Sequence, residues 1–285
     1  MTSADWSRAW PAPAKLNLFL HVVGRRADGY HLLQTVFRFV DFGDSLRFLP
    51  RADGEIVQAR PMAGVAPDRD LCVRAAARLR EAAGLRTGVT IELDKRLPMG
   101  GGLGGGSSDA ATTLIALNKL WGCGFDSPGL QRIGLELGAD VPVFIHGRTA
   151  FAEGIGERFT DVVAPPAWYL VVIPEVQVPT PDIFRDPSLR RDAAPIAAED
   201  WRPDFGANDL EPVACRLFPE VARVLGLLRS RGMTARMSGS GACCFAEFPD
   251  GPAAAAALDA LPHGPGGFVA RGLDRHPLLG LTPGG

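Results

Sequence analysis

Lysine is scarce in this chain: of 30 basic residues only Lys15, Lys95 and Lys119 are lysines, and the rest are arginines. Where arginine is used so freely, a surviving lysine hints that an ammonium point charge is wanted, because the two side chains are not interchangeable around phosphates. No two cysteines have C-x-x-C spacing, and the five present (72, 123, 215, 243 and 244) are an odd number in a full-sized chain. Neither a disulfide framework nor a zinc site is indicated, and a reducing compartment is expected. The N-terminal stretch "MTSADWSRAWPAPAK" lacks the apolar core of a signal peptide, and the longest apolar run, "AWYLVVIP", is far short of a membrane span. A formal net charge of −2 gives no electrostatic case for nucleic acid or an anionic membrane. The clusters Arg25-Arg26 and Arg190-Arg191 are too short to change that and read as solvated turns. Together these absences describe a cytosolic, soluble protein.

What is present is globular: 285 residues, 46% hydrophobic and 22% charged, enough for one large domain or two ordinary ones. "AKLNLFLHVV" alternates, with Lys15, Asn17, Phe19 and His21 on one side, and predicts a half-buried strand. A turn at Asp28-Gly29 leads to the strand-like runs "LLQTVFRFV", "DSLRFLP" and "EIVQAR". Helices are expected over "DLCVRAAARLREAAG", "SSDAATTLIALNKLWG" (which includes Lys119) and "SPGLQRIGLELG", with Ser107 or Ser108 capping the second. "TAFAEGIGERF" reads as strand, turn, strand. Residues 164–187 are Pro-rich, enclose the strand "YLVVI" and are the best candidate for a domain junction. Beyond them come helices near 209–231, a turn at "SGSG", a strand "ACCFAEF", an Ala-rich helix near 252–261, a last strand "GFVARGL" and a frayed tail "LTPGG". Strands and helices mixed this irregularly favour α+β over a doubly wound sheet.

The stretch "RLPMGGGLGGGSSDAATTL", residues 96–114, has six glycines in seven positions. Gly100, Gly102 and Gly105 satisfy G-x-G-x-x-G, and Asp126 lies near the distance of a ribose-binding acid, but the preceding strand alternates and no second strand carries Asp126. Gly100 and Gly105 also have Walker A spacing, yet Gly106 stands where that motif needs lysine. What remains is a phosphate cradle of another build: glycine amides turned toward an anion, ahead of a helix N-terminus with its positive dipole end. Ser107 and Ser108 would add hydroxyls, and Lys95 a positive charge. The ligand indicated is a nucleoside triphosphate.

"PMGGGLGGGSSDAA" at 98–111 resembles the ATP loop of the GHMP small-molecule kinase superfamily. "PAKLNLFLHVVGRRADGYHLLQTVF" (13–37), "GADVPVF" (138–144), "VPTPDIF" and "SGSGACCFAEF" narrow the likeness to the branch that phosphorylates, with ATP, the 2-hydroxyl of a cytidine diphosphate-linked polyol on the non-mevalonate route to isoprenoids. The resemblance implies a two-domain α+β fold: an N-terminal mixed α/β nucleotide domain over 1–160, a C-terminal ferredoxin-like domain over 161–285, and an active site between them. It assigns ATP to Lys95, Pro98, Met99, Gly100, Gly101, Gly102, Leu103, Gly104, Gly105 and Gly106 with Ser107 and Ser108. Asp140 becomes the candidate general base, although a helix N-cap is its bland role. Lys15 becomes its partner, sharing the polar strand face with Asn17.

Tyr30 and Phe184 are implied as the two sides of a stack on cytosine, with His31 on its edge. Ser238, Gly239, Ser240 and Gly241 are implied to close over substrate or phosphates. Mg²⁺ is expected with ATP, but no carboxylate other than Asp140 suggests itself and the ligands are left unassigned. Asp109 stands where some relatives have Asn. It adds a negative charge that suits the helix dipole and slightly opposes the nucleotide. His21, His146, His263 and His276 have no metal-binding spacing and read as structural. The assembly expected is a monomer or weak homodimer, with no nucleic acid or membrane partner. A GHMP kinase with another alcohol acceptor, or a non-catalytic nucleotide-binding module, are the alternatives.

Overall fold

The computed structural model describes residues 6–62, 64–262 and 265–281; His263 and positions 282–285 of the tail lie outside the described residues. Two long strands form its backbone. β1 (Trp10–Arg25) runs antiparallel to β2 (His31–Arg51) over its whole length, so the runs expected as two short strands are one 21-residue strand. Between them lie Asp41, Phe42 and Gly43, and Gly43 keeps the strand going where it crosses β1. A Cβ at Gly43 would overlap the backbone of Ala12 and Pro13.

β4 (Gly88–Asp94) pairs with the far end of β2, and β3 (Ile56–Gln58) joins β4 in parallel. β5 (Ala150–Glu153) pairs with Thr35–Phe37 and with its hairpin partner β6 (Arg158–Asp161). Helices α1 (Leu71–Ala82), α2 (Gly105–Leu120), α3 (Ser127–Leu137) and α4 (Val141–His146) bury Leu79, Leu114, Leu117 and Phe144 against Trp10, Phe39 and Phe48. Asp126, the rejected ribose acid, caps α3 by accepting from the Gly129 N–H at 2.8 Å.

The second half comprises β7 (Trp168–Ile173), α5 (Thr180–Arg185), α6 (Glu211–Leu217), α7 (Pro219–Ser230), β8 (Ala235–Met237), β9 (Cys244–Phe248), α8 (Gly251–Asp259) and β10 (Gly266–Leu273). Its strands lie in the order β10-β7-β9-β8, every neighbour antiparallel. With helices in the two crossovers this is the βαββαβ ferredoxin-like arrangement. The molecule is a two-unit α+β protein of the class expected. β10 also pairs with Phe39 and Val40 of β2, making the sheet continuous, and Leu278 beyond it returns to the first core.

β1 departs from its expected half-burial. Lys15, Asn17 and Phe19 are 2%, 3% and 1% exposed, so its polar side is covered as well. Bulges between Pro13 and Lys15 and between Asn17 and Leu20 shift its register. Irregular chain takes its free edge: the Lys15 N–H donates to the Leu103 carbonyl at 3.0 Å and the Leu20 N–H to Ala207 at 3.0 Å. The strand thus lies at the seam of the two units, with Lys15 and Asn17 beneath the glycine loop.

Candidate active site

The glycine loop connects β4 to α2 and crosses the turn that joins β8 to β9. Two glycines carry the crossing. Gly102 has φ +73, and a Cβ on it would overlap the Ser238 carbonyl oxygen. Gly104 has φ +71, and its Cβ would come within 2.9 Å of the Phe144 ring and 3.1 Å of the Lys15 side chain. The loop's backbone is held from both sides: the Gly102 carbonyl accepts from Lys15 Nζ at 3.0 Å and from Ser238 Oγ at 2.9 Å, and the Gly101 carbonyl accepts from the Cys243 N–H at 3.1 Å.

Gly104, not Ser107 or Ser108, is the N-cap of α2, and no side chain caps the helix. The helix therefore starts earlier than its serines suggest, because a left-handed Gly104 lets the chain turn straight from loop into helix. Its first N–H groups have no intrahelical partner and point toward whatever occupies the space ahead of them. Ser107 lines the adjoining cleft, whereas Ser108 is fully buried and donates its hydroxyl to the Pro13 carbonyl at 2.7 Å. Leu103, 1% exposed, is a core wedge under the loop. Neither Ser108 nor Leu103 offers a side chain to a ligand in the cleft.

The cleft has a volume of about 1050 Å³ and spans both units. At its centre Lys15 Nζ donates to Asn17 Oδ1 at 2.6 Å and lies 3.4 Å from Asp140 Oδ2. Asn17 is fixed in turn by donating Nδ2 to Thr35 Oγ1 at 2.9 Å. Asp140 stands at the N-cap position of α4 but makes no side-chain cap; its carboxylate is 38% exposed and turned to Lys15. A buried ammonium, a half-open carboxylate and the carbonyl of the glycine loop are thereby linked through one nitrogen.

Lys95 behaves differently from the expectation that it faces phosphates with a free positive charge. Its Nζ bridges Asp44 Oδ2 at 2.6 Å and Asp109 Oδ2 at 2.8 Å, both carboxylates buried. Asp44 also accepts from the N–H groups of Arg96 and Leu97 at 2.6 and 2.8 Å. Burial pushes the Asp109 carboxyl up to about 7, with Lys95 opposing and Asp44 adding to the rise. Burial works against the Lys95 charge, but the two carboxylates outweigh it and raise its pKa. This cluster ties α2 to β2 and the start of the loop, and its one positive charge is more than balanced.

Tyr30, His31 and Phe184 line the other arm of the cleft. Tyr30 is 59% exposed, just past the turn where its N–H donates to Asp28 Oδ1 at 3.2 Å. His31 and Phe184 lie ring to ring, 4.9 Å apart and tilted by 33°. Of the second turn, Gly239, Ser240 and Gly241 line the cleft, while Ser238 is fully buried and braces the loop. Ser240 Oγ and Thr180 Oγ1 are 2.7 Å apart. Among the remaining histidines, His146 is paired with Asp161 at 2.7 Å, His21 packs on Phe19 and Phe205, and burial drives His276 down to about 3.

Three features escaped the sequence reading. Asp44, at the middle of a strand, carries no motif that marks it as a partner of Lys95. Thr35 orients Asn17 from β2, a contact made by strand pairing alone. Arg191 was expected in a solvated turn; it is half-buried instead, and its Nε donates to His31 Nε2 at 3.0 Å. Among the described residues no three His, Cys, Asp or Glu side chains gather to hold a metal, and no helix is long and apolar enough to cross a membrane.

Known proteins resemble this chain in sequence and fold. The chain matches the GHMP kinases N terminal domain over residues 70–148 and the GHMP kinases C terminal domain over residues 188–264. The 4-diphosphocytidyl-2-C-methyl-D-erythritol kinase of Dechloromonas aromatica is 60% identical over 273 residues, covering 96% of this chain and 100% of that protein. The kinase of the same name from Thiobacillus denitrificans is 56% identical over 277 residues, 97% of this chain and 99% of that one. A crystal structure of a 4-(cytidine 5'-diphospho)-2C-methyl-D-erythritol kinase superposes with TM-score 0.77 at 37% identity, covering 93% of this chain and 99% of its own. A homoserine kinase from Cytophaga hutchinsonii, 18% identical with TM-score 0.69 over 94% of this chain and 95% of its own, shares the fold. The chain belongs to the GHMP kinases, a family of ATP-dependent small-molecule kinases, and within it to the 4-diphosphocytidyl-2-C-methyl-D-erythritol kinases.

Proposed function

We propose that this protein transfers the γ-phosphoryl group of ATP to the 2-hydroxyl of 4-diphosphocytidyl-2-C-methyl-D-erythritol, with Asp140 as general base. The observation that carries the assignment is Lys15 Nζ, 3.0 Å from the carbonyl of Gly102 in the phosphate loop and 3.4 Å from the Asp140 carboxylate. One ammonium thus sits between the place suited to the phosphates and the group suited to the proton. Asp140 is available for that proton because its carboxylate caps no helix and remains open to the cleft.

The hydroxyl oxygen attacks the γ-phosphorus as its proton passes to Asp140, and the bond to the β-bridging oxygen breaks with its electron pair leaving on ADP. A positioned base of this kind contributes typically ~10²–10⁴-fold. Lys15 holds Asp140 and Gly102 in one geometry and offsets the negative charge brought together by carboxylate, alkoxide and phosphate. The uncapped start of α2 and the glycine amides receive the phosphates. Tyr30 and Phe184 flank the pyrimidine and His31 meets its edge, with stacking worth ~1–3 kcal/mol.

Mg²⁺ prefers hard oxygen donors and leans on substrate phosphates and water. Ser107 in the first turn of α2 offers a hydroxyl oxygen of that kind lining the cleft, beside the place suited to the phosphates, and it fits the ion. When bound with ATP it supplies charge neutralisation between the phosphates. The division into an ATP-binding unit up to residue 160 and a second unit from 161 is part of the same reading, with Leu278 in the tail returning to the first core. Five free thiols fit a reducing compartment.

The test is ADP release with Mg·ATP, comparing 4-diphosphocytidyl-2-C-methyl-D-erythritol with the same polyol phosphate lacking cytidine. Turnover confined to the cytidylated compound is expected. Equal turnover of both would sink the cytidine pocket, and ATP binding without turnover of either would leave a nucleotide-binding module.

A further inference from the structure

Arg191 makes four hydrogen bonds from one guanidinium. Nε donates to His31 Nε2 at 3.0 Å and Nη1 to the Leu189 carbonyl at 2.8 Å. Nη2 donates to the Phe184 and Asp186 carbonyls at 3.0 and 2.8 Å. A guanidinium has donors and no acceptor, so His31 Nε2 must present its lone pair. Burial, with the charges of Arg191 and Arg25 beyond it, holds His31 below its ordinary value, which leaves the ring neutral at neutral pH. A neutral imidazole that accepts at Nε2 carries its proton on Nδ1. Among the described residues no protein acceptor engages that Nδ1.

The carbonyls held by Nη2 belong to the end of α5 and the residue just after it, where a cation also suits the helix dipole. The same guanidinium therefore fixes the backbone under the Phe184 ring and the proton position on the His31 ring stacked beside it. A lysine lacks the planar fork that reaches all four acceptors. Arg190 next to it is exposed and paired with Asp192 at 3.1 Å, so the two neighbours are not equivalent.

We infer that Arg191 is a positioning residue for the base pocket: it locks His31 as the Nδ1–H tautomer against a clamped Phe184, so that the pocket offers one fixed N–H donor to an acceptor atom on a pyrimidine edge. This rests on the cytidine reading above and names the residue that sets the pocket's hydrogen-bond polarity.

The experiment uses the full chain labelled with ¹⁵N-histidine, as wild type, Arg191→Lys, Arg191→Gln and Arg190→Gln, with His31→Gln to assign the signal. Two-bond ¹H–¹⁵N spectra of the free enzyme read the tautomer directly. Wild type and Arg190→Gln are expected to show His31 protonated on Nδ1, and both Arg191 variants to shift toward Nε2–H or a mixture. In steady-state assays, KM for the cytidylated substrate should rise roughly tenfold or more in both Arg191 variants, the scale of one lost buried hydrogen bond. KM for ATP should stay put and kcat should hold within about threefold. Proton on Nε2 in the wild type overturns the inference, as does an unchanged His31 spectrum and KM in both Arg191 variants. Because the spectrum needs no substrate, it decides Arg191's hold on His31 even if equal turnover of cytidylated and bare polyol phosphates defeats the cytidine reading itself.

Discussion

Replacing Gly102 by alanine puts a methyl group where the Ser238 carbonyl oxygen already lies, in a residue whose φ is +73. The left-handed conformation costs an L-residue roughly 1–2 kcal/mol. Relieving the overlap means moving backbone, because the obstacle is a carbonyl and not the end of a flexible side chain, and overpacking of this kind costs typically ~1–3 kcal/mol. The sum is about 2–5 kcal/mol. At about 2–4 °C per kcal/mol for a chain of this order, that is a fall in Tm of roughly 4–20 °C. Activity should fall further than stability implies, since any shift of the Gly102 backbone also moves its own carbonyl, the one accepting from Lys15 Nζ and Ser238 Oγ. Gly106→Ala is the control. Gly106 is exposed in the first turn of α2 and its Cβ would meet only Leu71, at 3.3 Å. That variant should keep or slightly raise Tm, alanine being better in a helix by up to ~1 kcal/mol, and should change only the KM for ATP. Calorimetry and steady-state kinetics on both variants decide the matter. A Gly102→Ala protein with wild-type Tm and kcat would refute the argument that the glycines serve backbone crossing.

The buried acid at 109 and the open aromatic at 30 give two further expectations. With its pKa raised to about 7 from 3.8, Asp109 favours the fold in its protonated form. Its stabilising contribution is present in full below the unfolded value and is lost as pH rises through about 7. Asp109→Asn removes that titration, so the variant's Tm relative to wild type should climb between about pH 4 and 7 and level off above; a flat difference would show that Asp109 titrates in the fold as it does in the unfolded chain. Tyr30 is 59% exposed, so Tyr30→Ala should leave Tm nearly unchanged. It should raise KM for the cytidylated substrate by roughly ten- to a hundredfold, and an unaltered KM would remove it from the stack.

Local signals in the sequence reached far. The glycine run, the helix behind it and the β5–β6 hairpin are written in periodicity and turn residues, which depend on near neighbours, while the ferredoxin-like half was implied by the family resemblance alone. What escaped depends on distant ones. The carboxylates that hold Lys95 at the edge of the cleft were missed because nothing local announces that Asp44, 51 residues away, closes on it. Ser107 and Ser108 looked like caps because serine usually caps, whereas Gly104 could turn the chain before them. The alternation of β1 suggested a wet face; the glycine loop and the chain near Ala207 cover it. Arg191 read as a surface residue because its partner, His31, lies 160 positions away.

The most direct test of the account is Asp140→Asn, assayed at saturating Mg²⁺ for ATP affinity in a binding experiment and for kcat with the cytidylated substrate. Loss of the base predicts a kcat lower by roughly 10²–10⁴-fold with ATP affinity nearly unchanged. A variant that still turns over within a few-fold of wild type would contradict the assignment of Asp140, and with it the mechanism built on the Lys15 contact.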